Sequence, residues 1–401
     1  MAPYITAAKQ LNIQIKIASR GEYSLVNEIA QGIHIDLGSP DKAVDTIIRS
    51  ADKYNFQGIV AADDKAAEIV SQAASALGLP HNPPEAVHLT RWKHKARWHL
   101  KKAGLPVPDH WVTTLAALQK DQLPAIEFPC VIKPLNLSAS RGVIRCNNLA
   151  ELAQAATRLS KIVKDLDEAE ARETILIEKF IPGKEVALEA ILQQGKLVPI
   201  AIFDKPEPLE GPYFEETYYV TPSRLEKSVQ QNVIQIIEQA CRSYGLTTGP
   251  VHAEMRIDGT KGYILEIAAR TIGGECAKLV EFASGQSLES LVIEYAMGIH
   301  TNTVTLGTAA GVMMIPTPRS GILRRVEGVL DAQKVKNINS VSISVREGHE
   351  LVALPEGASY LGFIFATADT PEEVEKALRE AYEKLNIVIS PLWKIEGTPA
   401  Q

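Results

Sequence analysis

Two glutamates placed to meet across a β-hairpin carry the first chemical signal in this chain. The segments VHAEMRID (251–258) and YILEIAAR (263–270) flank GTKG. A short turn that sets Asp258 against Gly262 predicts a constant-sum register, with Glu254 opposite Glu266, His252 opposite Ala268 and Arg256 opposite Ile264. Directly opposed Cβ atoms lie about 4.5–5.5 Å apart, and like charges so placed repel. The pair therefore calls for a cation, and hard oxygen ligands at that spacing suit Mg²⁺, which takes one or two carboxylates plus substrate phosphates. A solvated sheet face is the alternative. Arg270 continues the face of Glu266 and adds a fixed guanidinium. In FPCVIKP-LNLSASRGV (128–143), Lys133 closes a buried strand before a Ser/Ala/Gly loop. An ammonium and several backbone N–H groups can there surround phosphates. In ILIEKFIPGKEVALEA (175–190) an edge strand breaks at Pro182-Gly183, between Glu178 and Glu185. This is either a hinge that reads a base and a ribose or an ordinary hairpin.

The elements that must position these residues follow from periodicity. IQIKIAS (13–19) and GIVAADD (58–64) read as strands, DKAVDTIIRSADKYN (41–55) and KAAEIVSQAASALGL (65–79) as helices, and the opening segment as helical. This βαβ spacing predicts a parallel sheet with covering helices, in a domain that opens without the usual first strand, which is either missing or was never part of it. PHNPPEA (80–86) reads as a linker and RWKHKARWHLKKAG (91–104) as one helix. Beyond 128 the chain turns β-rich, with an amphipathic helix in NNLAELAQAATRLSKIVKDL. GVMMIPT, SVSISV and YLGFIFATA read as further strands before a closing helix, TPEEVEKALREAYEKL. The expected domains are 1–88, 89–305 and 306–401, with a lid at about 111–180.

Composition narrows the classes. The 401 residues are 45% hydrophobic and 22% charged, as in ordinary globular proteins, and 42 Lys+Arg against 48 Asp+Glu give a net charge of −6. That speaks against nucleic-acid binding through a general basic field. The four scattered cysteines fit no zinc spacing and suggest free thiols in a reducing, cytoplasmic setting. No apolar run suffices for a bilayer span. GxxxxGK[ST], GxGxxG after a strand, GxSxG and HExxH are all absent.

Taken together these motifs resemble the ATP-grasp superfamily, in its biotin-carboxylase-like branch. The order is Lys93 before Ala103-Gly104-Leu105-Pro106, Lys133 in FPCVIKP, the Ser/Gly loop, IEKFIPGKEV, then HAEMRID and YILEIAAR. SASRGV, PYFEETYYVTPS, GPVHAE and EIAARTIGGE look most like the L-amino acid ligases. The resemblance implies an α/β (α+β) fold: an N-terminal parallel α/β domain, a central ATP-grasp domain with a mobile lid, and a C-terminal β-rich portion. It implies that ATP and Mg²⁺ (or Mn²⁺) are the cofactors. Lys93 and Lys133 would contact phosphates beneath a loop of Ser138, Ala139, Ser140 and Gly142. Glu178 and Phe180 would sit at adenine and Glu185 at the ribose. Glu254 and Glu266 would hold the metal, and Arg270 would stabilise the transferring phosphoryl. His252, Glu216, Gly273 and Gly274 are candidate substrate contacts. Ala268 departs from the pattern, standing where many members carry a metal-binding Asn. The activity implied is carboxylate–amine ligation through an acyl phosphate, releasing ADP and phosphate. The partners implied are a small carboxylate and an amine, with neither nucleic acid nor membrane; self-association into a homodimer is left open. The alternatives are a ligase for formate, bicarbonate or a nucleotide-biosynthesis intermediate, or an ATP-binding protein without catalysis.

Overall fold

Residues 2–19, 32–119, 125–299 and 304–392 are described by the computed structural model. The chain opens with α1 (Ala2–Gln10), which buries Ala7 and Ala8 against Ile293. Strands β1 (Ile17–Ser19) and β2 (Gly32–His34) pair in parallel. They share a small core with α2 (Pro40–Tyr54) and α3 (Asp64–Ala76), built from Ile35, Ile47, Ile69 and their neighbours. GIVAADD forms no strand. Its residues wedge between two cores instead: Ile59 joins the α2–α3 cluster and Val60 the one beneath the central sheet. Gly58 lies so close to its neighbour that a Cβ would sit 2.6 Å from the Ala296 carbonyl.

The expected linker at 80–86 already begins a helix, α4 (Pro84–Arg91), with Pro84 in the first turn, where a missing N–H costs nothing. Trp92 is extended and buried, so the single helix expected over 91–104 is α4 followed by α5 (Lys93–Lys102). The Lys93 amide donates to the Leu135 carbonyl (3.0 Å), tying the start of α5 to the strand that bears Lys133.

Next come β3 (His110–Thr114), β4 (Cys130–Pro134), β5 (Ile144–Cys146), α6 (Leu149–Val163) and β6 (Thr174–Lys179). The four strands form one sheet in the order β3-β6-β4-β5. Asn148 caps α6 by accepting from the Glu151 amide, and the stripe Leu152, Ala155, Ala156, Leu159, Val163 packs on the sheet. Thus β6 is a central strand, not the edge strand expected. The chain then changes sheets at Pro182-Gly183, which excludes a hairpin there. Only glycine fits at 183: φ is +97° and a Cβ would meet the Ile257 carbonyl at 2.1 Å.

The larger sheet uses β7 (Lys184–Gln193), β8 (Lys196–Lys205), β9 (Tyr218–Thr221), β10 (Gly249–Asp258) and β11 (Lys261–Ala268). It extends through β12 (Ala309–Ile315), β14 (Ile338–Ile343) and β16 (Gly362–Ala368). The order is β11-β10-β7-β8-β9-β12-β16-β14, so strands beyond residue 305 complete the sheet begun before it. α7 (Lys227–Tyr244) covers one face, packing Val233, Ile237 and Cys241 on Leu188, Ala190, Ala253 and Met255. After the short helix α8 (Lys278–Ser284), the C-terminal part adds a three-stranded sheet of β13 (Gly321–Glu327), β15 (Glu350–Leu351) and β17 (Asn386–Ser390). α9 (Pro371–Glu383) packs Val374 and Leu378 beside β12 and β16. It is not the last element, since β17 follows and pairs with β13.

Candidate active site

Strand alternation builds the site. On β7 and β10 the apolar residues face α7, which leaves Glu185, Ala187 and Glu189 beside Arg256, Glu254 and His252 on the other face. That face is not solvated: Glu189 is fully buried, and Glu185, His252 and Arg256 nearly so. The four-stranded sheet stands over it, and a cleft lies between the two sheets.

The hairpin turn is tighter than expected. Asp258 pairs with Lys261, not Gly262, and Arg256 with Tyr263, not Ile264. Glu254 nevertheless faces Glu266 and His252 faces Ala268, because Leu265 is an extra residue bulged out of β11. The Leu265 carbonyl accepts a bond from the Arg97 guanidinium.

All the expected site residues line the cleft except Gly142, Gly273 and Gly274. The two later glycines lie where the chain turns toward α8, with Gly274 against Met314. Lys93 reaches Glu266 (3.3 Å) and the Leu137 carbonyl (2.9 Å). Lys133 pairs with Glu178 at 2.6 Å, and Arg97 Nε donates to the same carboxylate at 2.5 Å. Burial opposes the Glu178 charge, but the two cations prevail and bring its pKa down to about 2. The Glu178 carboxylate, expected at adenine, is thus held inside the protein by two cations. Ala139 and Ser140 take left-handed φ (+53° and +54°) in a tight turn, in which the Arg141 amide donates to the Ser138 carbonyl and the Val143 amide to the Ser140 carbonyl. Gly142 sits behind it, donating to the Pro355 carbonyl at 2.9 Å. Phe180 stacks on Phe214 with centroids 6.4 Å apart, and Val131 and Val143 complete an apolar slot.

Glu185, Glu216 and Glu254 each present an oxygen within 4.8 Å of the others. Lys205, missed in the sequence, sits among them with contacts of 2.8, 2.8 and 3.1 Å. Its ammonium is held charged against burial by the three carboxylates. Glu185, expected at a ribose, also accepts from Arg256 Nε at 3.1 Å, so both its oxygens are engaged. His252 bridges Glu189 (2.5 Å) and Glu254 (3.3 Å). Burial favours the neutral imidazole, yet the two carboxylates raise its pKa to about 9. Burial would likewise raise the Glu254 carboxyl, but Lys205 and His252 hold it well below the usual range. The contacts to Glu254 all converge on Oε1, and the Lys93 contact to Glu266 falls on Oε2. Among the described residues no hydrogen bond or ion pair reaches the other oxygen of either carboxylate. Two facing carboxylates with all-oxygen donors fit a Mg²⁺ ion. Arg270 makes a bidentate pair with Asp64 (2.8 and 3.0 Å).

Arg97, Lys205, Arg256 and Asp64 were not anticipated. Arg97 stands one helical turn after Lys93, and Arg256 shares the pleat parity of Glu254; those spacings were the available signals. Lys205 offered none beyond ending a strand.

Comparison with known proteins agrees with this geometry. The ATP-grasp domain model matches residues 126–278, the ATP-grasp N-terminal domain model residues 5–81, and the L-amino acid ligase C-terminal domain 2 model residues 313–390. The structure is similar to that of the L-amino acid ligase from Bacillus licheniformis (TM-score 0.85, 25% identity, covering 96% of this chain and 95% of that one). An uncharacterized protein of Sinorhizobium fredii, y4rH, is 24% identical over 97% of this chain and 80% of its own length. The alanine–anticapsin ligase of Bacillus subtilis is 24% identical over 65% of this chain, and the match spans 58% of that enzyme. The chain belongs to the ATP-grasp superfamily, and over nearly its whole length it resembles the L-amino acid ligases.

Proposed function

We propose that this protein is an ATP- and Mg²⁺-dependent carboxylate–amine ligase that joins two amino acids, forming ADP and phosphate. The observation that carries this reading is the convergence on one cleft of two lysines, a small-residue loop, two opposed carboxylates and an arginine. Phe180, Phe214, Val131 and Val143 hold the adenine. Lys93, Lys133 and the backbone at 138–140 hold the phosphates. Glu254 and Glu266 hold the cation, whose chemistry is to neutralise charge on the phosphates. A substrate carboxylate attacks the γ-phosphorus, and Arg270 meets the charge that develops there. The resulting acyl phosphate has phosphate as its leaving group, so an amine displaces it and an amide remains. Water would compete for that intermediate. The small sheet with its loop therefore acts as a lid that shuts water out. His252 and Glu216, on the inner wall, contact the amino-acid substrates.

The test is a screen of amino-acid pairs with Mg–ATP for ADP, phosphate and amide product. Stoichiometric AMP and pyrophosphate, or ADP release independent of any amino acid, would overturn the reading. No described helix is long and apolar enough to cross a membrane.

A further inference from the structure

Asp64 belongs to the N-terminal α/β part, yet it reaches the centre of the site. It is the first residue of α3, whose cap is its neighbour Asp63, accepting from the Ala66 amide at 2.8 Å. With that duty filled, the Asp64 carboxylate is free to leave the helix. It takes Arg270 Nε on Oδ1 (2.8 Å) and Nη2 on Oδ2 (3.0 Å). The same Oδ2 accepts from the Ser138 hydroxyl of the phosphate loop at 3.1 Å. One carboxylate thus ties two pieces that must act together, from positions 74 and 206 residues away in sequence.

The guanidinium has five N–H donors. Two go to Asp64 and one, from Nη1, goes to the Thr271 carbonyl at 2.9 Å. One N–H then remains on each terminal nitrogen, a pair suited to two oxygens of a phosphoryl group. Other carboxylates compete for this cation: Glu266 and Glu189 also attract it. An Arg270 released from Asp64 would be drawn onto Glu266, removing the arginine and a cation ligand together.

We infer that Asp64 is a positioning residue, which presents Arg270 to the transferring phosphoryl, keeps it off Glu266 and links it to the phosphate loop through Ser138. This rests on the ligase reading of the site. It makes seating of the N-terminal part on the central sheet a condition for phosphoryl transfer.

The experiment compares Asp64→Asn, Arg270→Lys and the double variant for kcat, KM for ATP and half-saturating Mg²⁺. Asp64→Asn should lower kcat about 10–100-fold, the range typical of residues that orient a direct ligand. Its KM for ATP should stay within about threefold, and its Mg²⁺ requirement should rise. The double variant should be no slower than Arg270→Lys alone, because Asp64 acts through that side chain. Unchanged or increased kcat, or losses that multiply, would overturn the inference. Asp64→Ser replaces Asp64→Asn if the latter does not fold, as read by its thermal midpoint. A second readout needs no turnover: tryptic cleavage after Arg141 should quicken alike in Asp64→Asn and Ser138→Ala. If the wild type joins no amino acids but the loop loosens as described, the ligase reading fails and the tie stands. Cleavage at the wild-type rate in both variants overturns the tie itself.

Discussion

Glu254 faces Glu266 only because Leu265 is bulged out of β11. Were Leu265 paired in the ladder, the tight turn at Gly259-Thr260 would put it, and not Glu266, opposite Glu254. The bulge is anchored, since its carbonyl is held by Arg97 from α5, the helix whose first residue is Lys93. The two facing glutamates and the helix that begins with Lys93 are thereby held to one another.

The first prediction concerns that pair. Glu254→Gln and Glu266→Gln keep side-chain volume and sit on a polar face, so both variants should fold. Each removes a charged ligand, and turnover should fall at least about 100-fold, as for loss of a major source of transition-state charge stabilisation. Steady-state rates across a Mg²⁺ titration check this beside circular dichroism. Wild-type rates at low Mg²⁺ in either variant would refute the assignment.

Glu178 gives a prediction about stability. Its carboxylate is buried against Lys133 and Arg97, and removing one member of a buried pair typically costs about 3–5 kcal/mol. Glu178→Gln should therefore be strongly destabilised at neutral pH. The folded-state pKa of about 2 lies below the ordinary 4.5. The stabilisation is then complete above pH 4.5 and is lost as pH falls toward 2. Urea unfolding of wild type and variant at several pH values should show a gap that narrows through that window. A gap constant with pH would refute the linkage.

Much of this site was legible in the sequence. Alternating strand residues and the facing glutamates pointed to one polar sheet face, and the small-residue loop after Lys133 pointed to phosphates. What stayed hidden depended on long-range packing. Arg97 read as one more basic residue on a basic helix, because nothing local says that α5 lies beneath the small sheet. GIVAADD had the composition of a strand, but its sides are claimed by two cores, leaving no edge to pair. The hairpin register came out right at Glu254 although the turn did not, because the Leu265 bulge offsets the shorter turn.

Lys205 supplies a prediction about metal and stability together. It is buried among Glu185, Glu216 and Glu254. Lys205→Met leaves these carboxylates, among the described residues, with Arg256, His252 and the Tyr219 hydroxyl as partners. The loss should be about 3–5 kcal/mol without divalent ions. A cation that binds only the folded state stabilises it by mass action, so added Mg²⁺ should recover part of the loss. The midpoint of Lys205→Met should rise with Mg²⁺ more steeply than that of the wild type, and fall back with a chelator. Equal slopes would show that Lys205 does not share its carboxylates with a metal.

The last prediction separates binding from chemistry at Arg270. The guanidinium is fixed by Asp64 and the Thr271 carbonyl before any nucleotide arrives, so its remaining donors are aimed in advance. A donor that meets charge appearing only during phosphoryl transfer is worth about 2.7–4 kcal/mol, or about 10²–10³ in rate. Lysine cannot replace it, because an ammonium lacks the planar fork that holds Asp64 on one side and two oxygens on another. Arg270→Lys should therefore lose kcat by that factor while ATP binds almost normally. Lys133→Ala should behave differently. In the proposed function that ammonium meets phosphate in the ground state, and its removal also leaves Glu178 with Arg97 alone, so ATP affinity and stability should both fall. Calorimetric ATP titration beside steady-state rates distinguishes the two. Loss of ATP affinity and rate in equal proportion in Arg270→Lys would make Arg270 a ground-state anchor, and its role in transfer would have to pass to Lys93 or Lys133.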